Sequence, residues 1–320
     1  MNKNSRFFIF IAVCIILFLI VIEPSIYIDA AIDGLKLFTY KVFPSLFPFF
    51  IITRLLTMLG VGNYLSKFLK KPLKYIYNVP SIGGYIFALS LLSGYPVGAK
   101  LVADYARFGI IDKEDARAII SFASTSGPMF ILGTVGVQML GDYKAGLMIF
   151  CGHVIAAIIN GLLFRSKGLE REELVYMNDV ANRESMFNDA LQSSIASIIL
   201  VGANIVILNV FLIALKRLGV IGLLTKGLVL LGINQELSMG VAVGLIEITQ
   251  GISCLSNSIQ EIKDIIIVSS VIISFGGASV MMQSMSFLSQ AGVKTSYYLV
   301  TKISHAIIAY AVTSVIVLFY

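Results

Sequence analysis

The chain has 320 residues, of which 58% are apolar and 13% are charged, and its net charge is +6. Soluble domains carry about 25% charged residues, whereas the mean hydropathy here is +0.91. This composition excludes a soluble globular protein, and several apolar runs reach the roughly 20 residues that a helix needs to cross a bilayer. The basic residues concentrate in short loops, which indicates membrane topology rather than nucleic-acid binding.

The sequence predicts no enzyme and no metal or cofactor site. Its three cysteines, Cys14, Cys151 and Cys254, are isolated in or near apolar runs, without the Cys and His spacing of a metal centre. No phosphate-binding GxxxxGK[ST] sequence and no Ser/His/Asp arrangement is present. We therefore expect no catalytic residue, no metal ligand, no cofactor and no nucleic-acid partner.

The first apolar run, residues 7–22, follows Lys3 and Arg6 and admits two interpretations. A basic start before a short apolar run is typical of a signal peptide. No small-x-small cleavage site precedes residues 23–25, so we favour an uncleaved anchor with its N-terminus in the cytoplasm. Residues 1–40 are accordingly predicted to be an N-terminal anchor helix and an external loop.

Seven apolar runs are predicted to be full membrane spans. They lie at residues 7–22, 41–59, 118–140, 144–164, 191–215, 264–288 and 298–319. Two further segments, 81–103 and 236–260, are interrupted by Gly, Pro and polar residues and are predicted to be re-entrant helical hairpins. With the N-terminus inside, sixteen lysines and arginines, Lys302 among them, fall on the cytoplasmic side and seven outside, which agrees with the positive-inside rule.

An internal repeat is visible in the sequence. Residues 59–67 match residues 218–226 with five of nine positions identical, and Ser124 and Gly127 match Ser274 and Gly277. The repeat predicts a first gate-type unit at 41–164, a cytoplasmic linker at 165–190 and a second unit at 191–320.

Each predicted unit contains three full spans and one hairpin, and because three is odd the second unit must be inverted. The predicted fold is therefore an all-α polytopic membrane protein with an inverted-topology repeat, about seven full spans and two re-entrant helical hairpins. Such repeats with discontinuous helices are typical of secondary transporters, whose substrate sites lie near the bilayer midplane. The alternative is a duplicated membrane scaffold that transports nothing.

The first unit offers two chain breaks as candidate substrate-binding segments. The hairpin turns near Ser93, Gly94 and Pro96, and Lys100 follows one helical turn later. The next span is interrupted by polar residues and a proline, and there Ser126 and Gly127 are the candidates. Half-helices that begin at these breaks carry unpaired N–H groups, which favour an anionic or hydroxyl-rich ligand. The alternatives are that Lys100 extends to the membrane interface and that the second break is a locally satisfied kink.

The second unit offers a buried carboxylate. Glu247 is the one acidic residue predicted inside the membrane, where ionisable side chains are costly and by default functional. It could bind a coupling proton or cation or accept hydrogen bonds from a substrate; the alternative is a structural partner such as Lys100 or a cluster of backbone N–H groups. The further candidates of this unit are Thr249, Gln250, Gly251, Gly276 and Gly277.

Two histidines, His153 and His305, occupy equivalent places in the last spans of the two units. A proton relay is one interpretation. Hydrogen bonding between neighbouring helices is the one we favour.

Four segments resemble a known family. Residues 43–50, 93–100, 124–133 and 247–251 are similar to the YlbJ/SpoVV family of sporulation integral membrane proteins, within the nucleoside-recognition or gate domain group. The resemblance covers nearly the whole chain.

The resemblance implies a function in spore-forming Firmicutes. It implies transport of a small polar anion, first of all dipicolinic acid across the outer forespore membrane, by a protein located there or in the plasma membrane. The partners expected are the lipid bilayer and a small anionic or polar solute, with a homo-oligomer left open. The alternatives are a transporter of the same build for a nucleoside or another polar metabolite, and a sporulation membrane assembly factor that transports nothing.

Overall fold

The computed structural model describes residues 3–166 and 186–320. Within these ranges every regular element is helical. In chain order they are α1 (Lys3–Ile22), α2 (Pro24–Leu37), a π-helix (Phe38–Val42), α3 (Phe43–Met58), α4 (Val61–Tyr77), α5 (Ile82–Ser93), α6 (Val97–Arg107), α7 (Lys113–Phe122), a second π-helix (Met129–Met139), α8 (Tyr143–Leu163), α9 (Met186–Arg217), α10 (Val220–Leu230), α11 (Gln235–Gly244), α12 (Ile248–Ser256), α13 (Ile262–Phe275), α14 (Gly277–Leu288), α15 (Thr295–Ile316) and a 3₁₀ turn (Val317–Phe319). Most of the predicted linker at 165–190 lies outside the described residues.

Within the described ranges, five helical stretches are long and apolar enough to cross a membrane. They are Pro24–Leu56, Tyr143–Leu163, Met186–Arg217, Ile262–Leu288 and Thr295–Phe319. A further pair, Lys71–Tyr77 and Ile82–Ser93, is bent by 98°. The prediction of an all-α polytopic membrane protein is confirmed. One reason that the full spans are fewer than predicted is that 118–140 is not one helix, because α7 ends at Phe122 and the π-helix begins at Met129.

Residues 24–37 form helix α2 and not the external loop predicted for them. Charged residues in this segment, among them Asp29 and Asp33, lower its mean hydropathy, so hydropathy alone does not predict a helix there. The helix is fixed by α9: the Asn209 amide donates to the Ala30 carbonyl at 2.6 Å. A Cβ on Gly34 would lie 3.0 Å from the Val206 Cα, so the two backbones pack closely.

The same order of elements occurs twice along the chain. A first helix (α3 or α9) is followed by a second (α4 or α10), a hairpin (α5–α6 or α11–α12), a broken helix (α7 with the second π-helix, or α13–α14) and a final long helix (α8 or α15). The sequence match at 59–67 and 218–226 has a structural reason. Gly60 and Gly219 precede α4 and α10 with φ of 77° and 74°, a conformation that favours glycine.

The two final helices, α8 and α15, pack against each other and against α13. Around them, each hairpin packs against the broken helix of the other unit: α6 contacts α14, and α12 contacts the second π-helix. The broken helices and both hairpins are thereby brought to one region.

Each hairpin depends on a position that admits no side chain. A Cβ on Gly98 of α6 would lie 1.9 Å from the carbonyl oxygen of Ala123, which follows α7. A Cβ on Gly251 of α12 would lie 2.4 Å from the Gly244 Cα at the end of α11. Overlaps of this size involve backbone atoms, so the hairpins could accommodate a methyl group only by moving apart.

We expect Gly98→Ala to destabilise the protein by about 1–3 kcal/mol, the usual cost of overpacking, because α6 must move away from Ala123. The measurement is the melting temperature of purified protein in detergent. Gly227→Ala in α10 is the matched control, because a Cβ there meets nothing within 4 Å. The control should leave stability unchanged or raise it by roughly 0.5–1 kcal/mol. Equal melting temperatures for Gly98→Ala and wild type would contradict the close packing.

Candidate functional site

The tip of each hairpin lies against the break of the broken helix in its own unit. In the first unit, a Cβ on Gly94 would lie 2.7 Å from the backbone nitrogen of Gly127. In the second, the N–H groups of Ala278 and Ser279 donate to the hairpin carbonyls of Leu245 and Ile246 at 2.8 and 3.1 Å. The two tips and two breaks thus form a pair of equivalent chain crossings.

One cavity of about 100 Å³ lies between these crossings. A single water needs roughly 10–15 Å³ by this measure, so the space admits a small solute or several waters. Its apolar wall includes Phe49, Phe50 and Phe130. Its polar lining comes from both units: Ser93, Tyr95, Ser126, Asn204, Glu247, Thr249, Ser279 and Gln283.

Six of the twelve predicted site residues line this cavity: Ser93, Gly94, Ser126, Gly127, Glu247 and Thr249. Pro96 and Lys100 line a neighbouring chamber instead. Gln250, Gly251, Gly276 and Gly277 line neither. The backbone N–H of Gln250 donates to the Glu247 carboxylate, which caps α12, and the three glycines permit close backbone packing or a left-handed turn. Four further polar residues line the cavity and are not among the twelve: Tyr95, Asn204, Ser279 and Gln283.

Glu247 is the buried carboxylate of the cavity, 5% exposed. It is the N-cap of α12: one oxygen accepts from the Gln250 N–H at 2.7 Å and the other from the Thr249 hydroxyl at 3.0 Å. A negative charge is favoured at a helix N-terminus. Among the described residues no lysine or arginine forms an ion pair with it, so Glu247 is held by one backbone N–H and one hydroxyl and is not paired with Lys100.

The carboxylate of Glu247 keeps hydrogen-bonding capacity toward the cavity. Two carboxylate oxygens offer about four acceptor positions, and the described residues occupy two of them. A solute hydroxyl or N–H group could therefore be bound there.

Several backbone N–H groups at the helix breaks are occupied within the protein. The Ser126 N–H donates to the His153 ring at 3.0 Å, and those of Ala278 and Ser279 donate to the second hairpin. The prediction that half-helix N-termini face an anionic solute needs correction at these three positions. The polar groups that these bonds leave available to the cavity are mainly those of side chains.

His153 joins the two helix breaks. Its Nε2 accepts from the Ser126 N–H, and its Nδ1 lies 2.8 Å from the Ser274 hydroxyl. Since a backbone N–H can only donate, Nε2 carries no proton, and the neutral ring bears its hydrogen on Nδ1. His305 stacks at 4.8 Å and donates to the His153 carbonyl at 3.1 Å. These contacts fit the hydrogen-bonding interpretation of the two histidines.

Lys302 is a functional candidate that the sequence analysis missed and assigned to the cytoplasmic side. The structure places it in α15, 2% exposed. Its ammonium donates to the Tyr95 hydroxyl at 2.8 Å and to the Ser124 carbonyl at 3.1 Å. The sequence analysis missed this burial because Lys302 lies in the first half of its helix, where a lysine is expected to reach water. The polar face of α15, with Lys302 and His305 three residues apart, is the signal that could have revealed it.

A second chamber of about 460 Å³ adjoins the cavity and shares Phe50, Ser93, Tyr95, Val201 and Gln283 with it. Its lining includes two exposed cations, Arg54 and Lys100. Asp104, also in its lining, forms an ion pair with Arg107 at 3.2 Å. The chamber therefore presents positive charge beside the cavity that contains Glu247.

No protein-family model matches the chain. It is 27% identical to the sporulation integral membrane protein YlbJ of Bacillus subtilis (strain 168), and the match covers 95% of this chain and 80% of that protein. The chain is a relative of YlbJ. The resemblance drawn from its motifs is thereby confirmed.

This YlbJ relative shares its fold with solved structures of CNTnw. A CNTnw variant in the intermediate 1 state superposes with a TM-score of 0.62 at 16% identity, covering 98% of this chain and 88% of the other. CNTnw in an inward-facing substrate-bound state gives 0.60 at 16% identity, covering 99% and 85%. At this identity the likeness shows that the two chains share a fold.

We expect His153→Ala to destabilise the protein by about 1–3 kcal/mol, because it leaves the buried Ser126 N–H without an acceptor. His153→Gln restores an acceptor and a donor on a side chain of similar length and should recover part of the loss. Melting temperatures in detergent should fall in the order wild type, His153→Gln, His153→Ala. Asn257→Ala, which removes an exposed hydrogen bond within one helix turn, is the control. A stable Ala variant would mean that His153 does not join the breaks.

Proposed function

We propose that this YlbJ relative is a membrane transporter or facilitator that moves a small polar solute through the cavity between its two hairpins. The observation that carries the proposal is the meeting of both hairpin tips and both helix breaks at one polar-lined space. Irregular backbone at membrane depth is tolerated only where protein or a wet cavity surrounds it. The likeness to CNTnw, solved in a substrate-bound state, supports the same conclusion.

Dipicolinate is the first candidate solute. The relation to a sporulation protein supports a place in the outer forespore membrane or the plasma membrane of a sporulating cell, with the N-terminus in the cytoplasm. Dipicolinate is a planar dianion, and Arg54 and Lys100 in the second chamber would attract it. The hydroxyls of Ser93, Ser126 and Ser279 would donate hydrogen bonds to its carboxylates in the cavity.

Glu247 places a condition on this solute. Two like charges 4 Å apart repel by about 4 kcal/mol at an effective dielectric constant of 20. An ionised Glu247 and a dianion therefore do not share the cavity unless a proton or cation accompanies the solute. We propose that a proton does so, because a protonated Glu247 would donate to a solute carboxylate instead of repelling it.

A nucleoside or another hydroxyl-bearing neutral metabolite is the second candidate. Glu247 favours it, because an ionised carboxylate accepts hydrogen bonds from hydroxyls without any accompanying charge. The fold shared with CNTnw is compatible with this solute as well.

Flux into liposomes tests the transport proposal. We expect reconstituted wild-type protein to take up labelled dipicolinate above empty liposomes, and faster when the outside is acidic. Glu247→Gln should lower uptake and remove the acceleration by acid, because the amide can still donate to the solute but cannot take up or release the accompanying proton. Glu261→Gln, which changes an exposed carboxyl outside the cavity, should transport normally.

Uridine uptake is measured beside dipicolinate uptake to separate the two solutes. Uptake of uridine alone would retain the transporter and reject dipicolinate. No uptake of either solute by folded protein would reject transport and favour the assembly factor. Equal flux in wild type and Glu247→Gln would show that Glu247 takes no part in transport.

The second chamber makes a separate prediction about charge. We expect Lys100→Gln and Arg54→Gln each to slow dipicolinate uptake about 2–5-fold, the effect of an exposed charge contributing up to 1 kcal/mol, with little effect on uridine. High salt should reduce the difference from wild type. Lys263→Gln, an exposed lysine outside both chambers, is the control. An equal slowing of both solutes would show that the lysine and arginine do not select for charge.

A further inference from the structure

Lys302 reaches the first helix break directly. Its ammonium donates at 3.1 Å to the carbonyl of Ser124, two residues beyond the end of α7. Carbonyls at the C-terminal end of a helix have no partner within the helix and carry the negative end of its dipole. The ammonium therefore lies where the break is short of hydrogen-bond donors and rich in negative partial charge.

The same side chain reaches the second break through Tyr95. The ammonium donates to the Tyr95 hydroxyl at 2.8 Å, and that hydroxyl donates to the carbonyl of Ile273, in the last turn of α13, at 3.1 Å. The lysine stem passes beside the second break, since a Cβ on Gly276 would lie 3.4 Å from its Cε. One cation thus connects the C-terminal ends of both half-helices and the tip of the first hairpin.

The partners of this cation are neutral oxygens and an aromatic face. No carboxylate of the described residues forms an ion pair with Lys302; its ammonium lies 4.7 Å from the centre of the Tyr95 ring. Glu247, the nearby buried acid, is bound to Thr249 and Gln250 instead. Carbonyl and hydroxyl oxygens at half-helix C-termini are the ligands with which discontinuous-helix carriers coordinate a monovalent cation.

We propose that the ammonium of Lys302 is a tethered cation, which occupies the position between the helix breaks where such a carrier would bind a monovalent cation from solution. Lys302 is on this proposal a positioning residue: it touches no solute and holds Ser124, Tyr95 and, through Tyr95, Ile273 together. The assembled site consequently requires no sodium or potassium at this position. The proposal is independent of which solute the cavity accepts.

Lys302→Ala tests the proposal because it removes Cγ, Cδ, Cε and the ammonium of the side chain. The space that it leaves has the shape of n-propylammonium. Melting temperatures are measured in detergent at constant ionic strength with sodium, potassium, n-propylammonium or tetramethylammonium chloride. Wild type should melt at the same temperature in all four salts. Lys302→Ala should melt roughly 5–10 °C lower in tetramethylammonium, and n-propylammonium or sodium should restore at least half of the loss. Lys294→Ala, an exposed lysine at the start of the same helix, should match wild type in every salt.

Three results would overturn the proposal. The first is a Lys302→Ala protein as stable as wild type. The second is a destabilised variant that no cation restores, since a purely structural side chain would behave so. The third is wild-type protein that sodium stabilises specifically. If Lys302→Ala does not accumulate, Lys302→Arg and Lys302→Met are compared. A higher yield and melting temperature for Lys302→Arg would support a required positive charge. An equal or higher yield and melting temperature for Lys302→Met would reject that requirement.

Discussion

The structure depends on one constraint: inside a bilayer, every backbone N–H and C=O group must find a partner in the protein or in a wet cavity. Two helices are interrupted, one after Phe122 and one at Gly276, and the second break lies within the apolar stretch Ile262–Leu288. The broken ends would be unstable alone. Hairpin carbonyls bind the N–H groups of α14, His153 accepts from Ser126, and Lys302 donates to Ser124.

These pairings determine what the cavity can recognise. Because N–H groups at both breaks are occupied by protein partners, the lining acts through hydroxyls, amides and the carboxylate of Glu247. Positive charge lies apart from it, as Lys302 behind Tyr95 and as Arg54 and Lys100 in the second chamber. On the transport proposal, a solute would meet the cations of the second chamber and the carboxylate of Glu247, so its own charge would decide how well it binds.

The comparisons and the geometry answer different questions. The chain is similar in sequence to the sporulation membrane protein YlbJ, and it shares its fold with CNTnw. Neither relation identifies the solute, because recognition resides in a few side chains on a fold that can serve many functions. The side chains that distinguish this chain, Glu247 and Lys302 above all, are therefore the ones whose chemistry can be tested.

The sequence alone determined the helical membrane architecture, most of the spans and both hairpins. Of the twelve site residues that it predicted, six line the cavity. It could do so because hydropathy, Gly and Pro are local signals that report burial in lipid and chain breaks. The tertiary structure decided the rest. It made a helix of residues 24–37 by packing them on α9, and it assigned N–H groups at the breaks to internal partners. Lys302 and Tyr95 are 207 residues apart in the chain, and no local pattern can show that two such distant side chains meet.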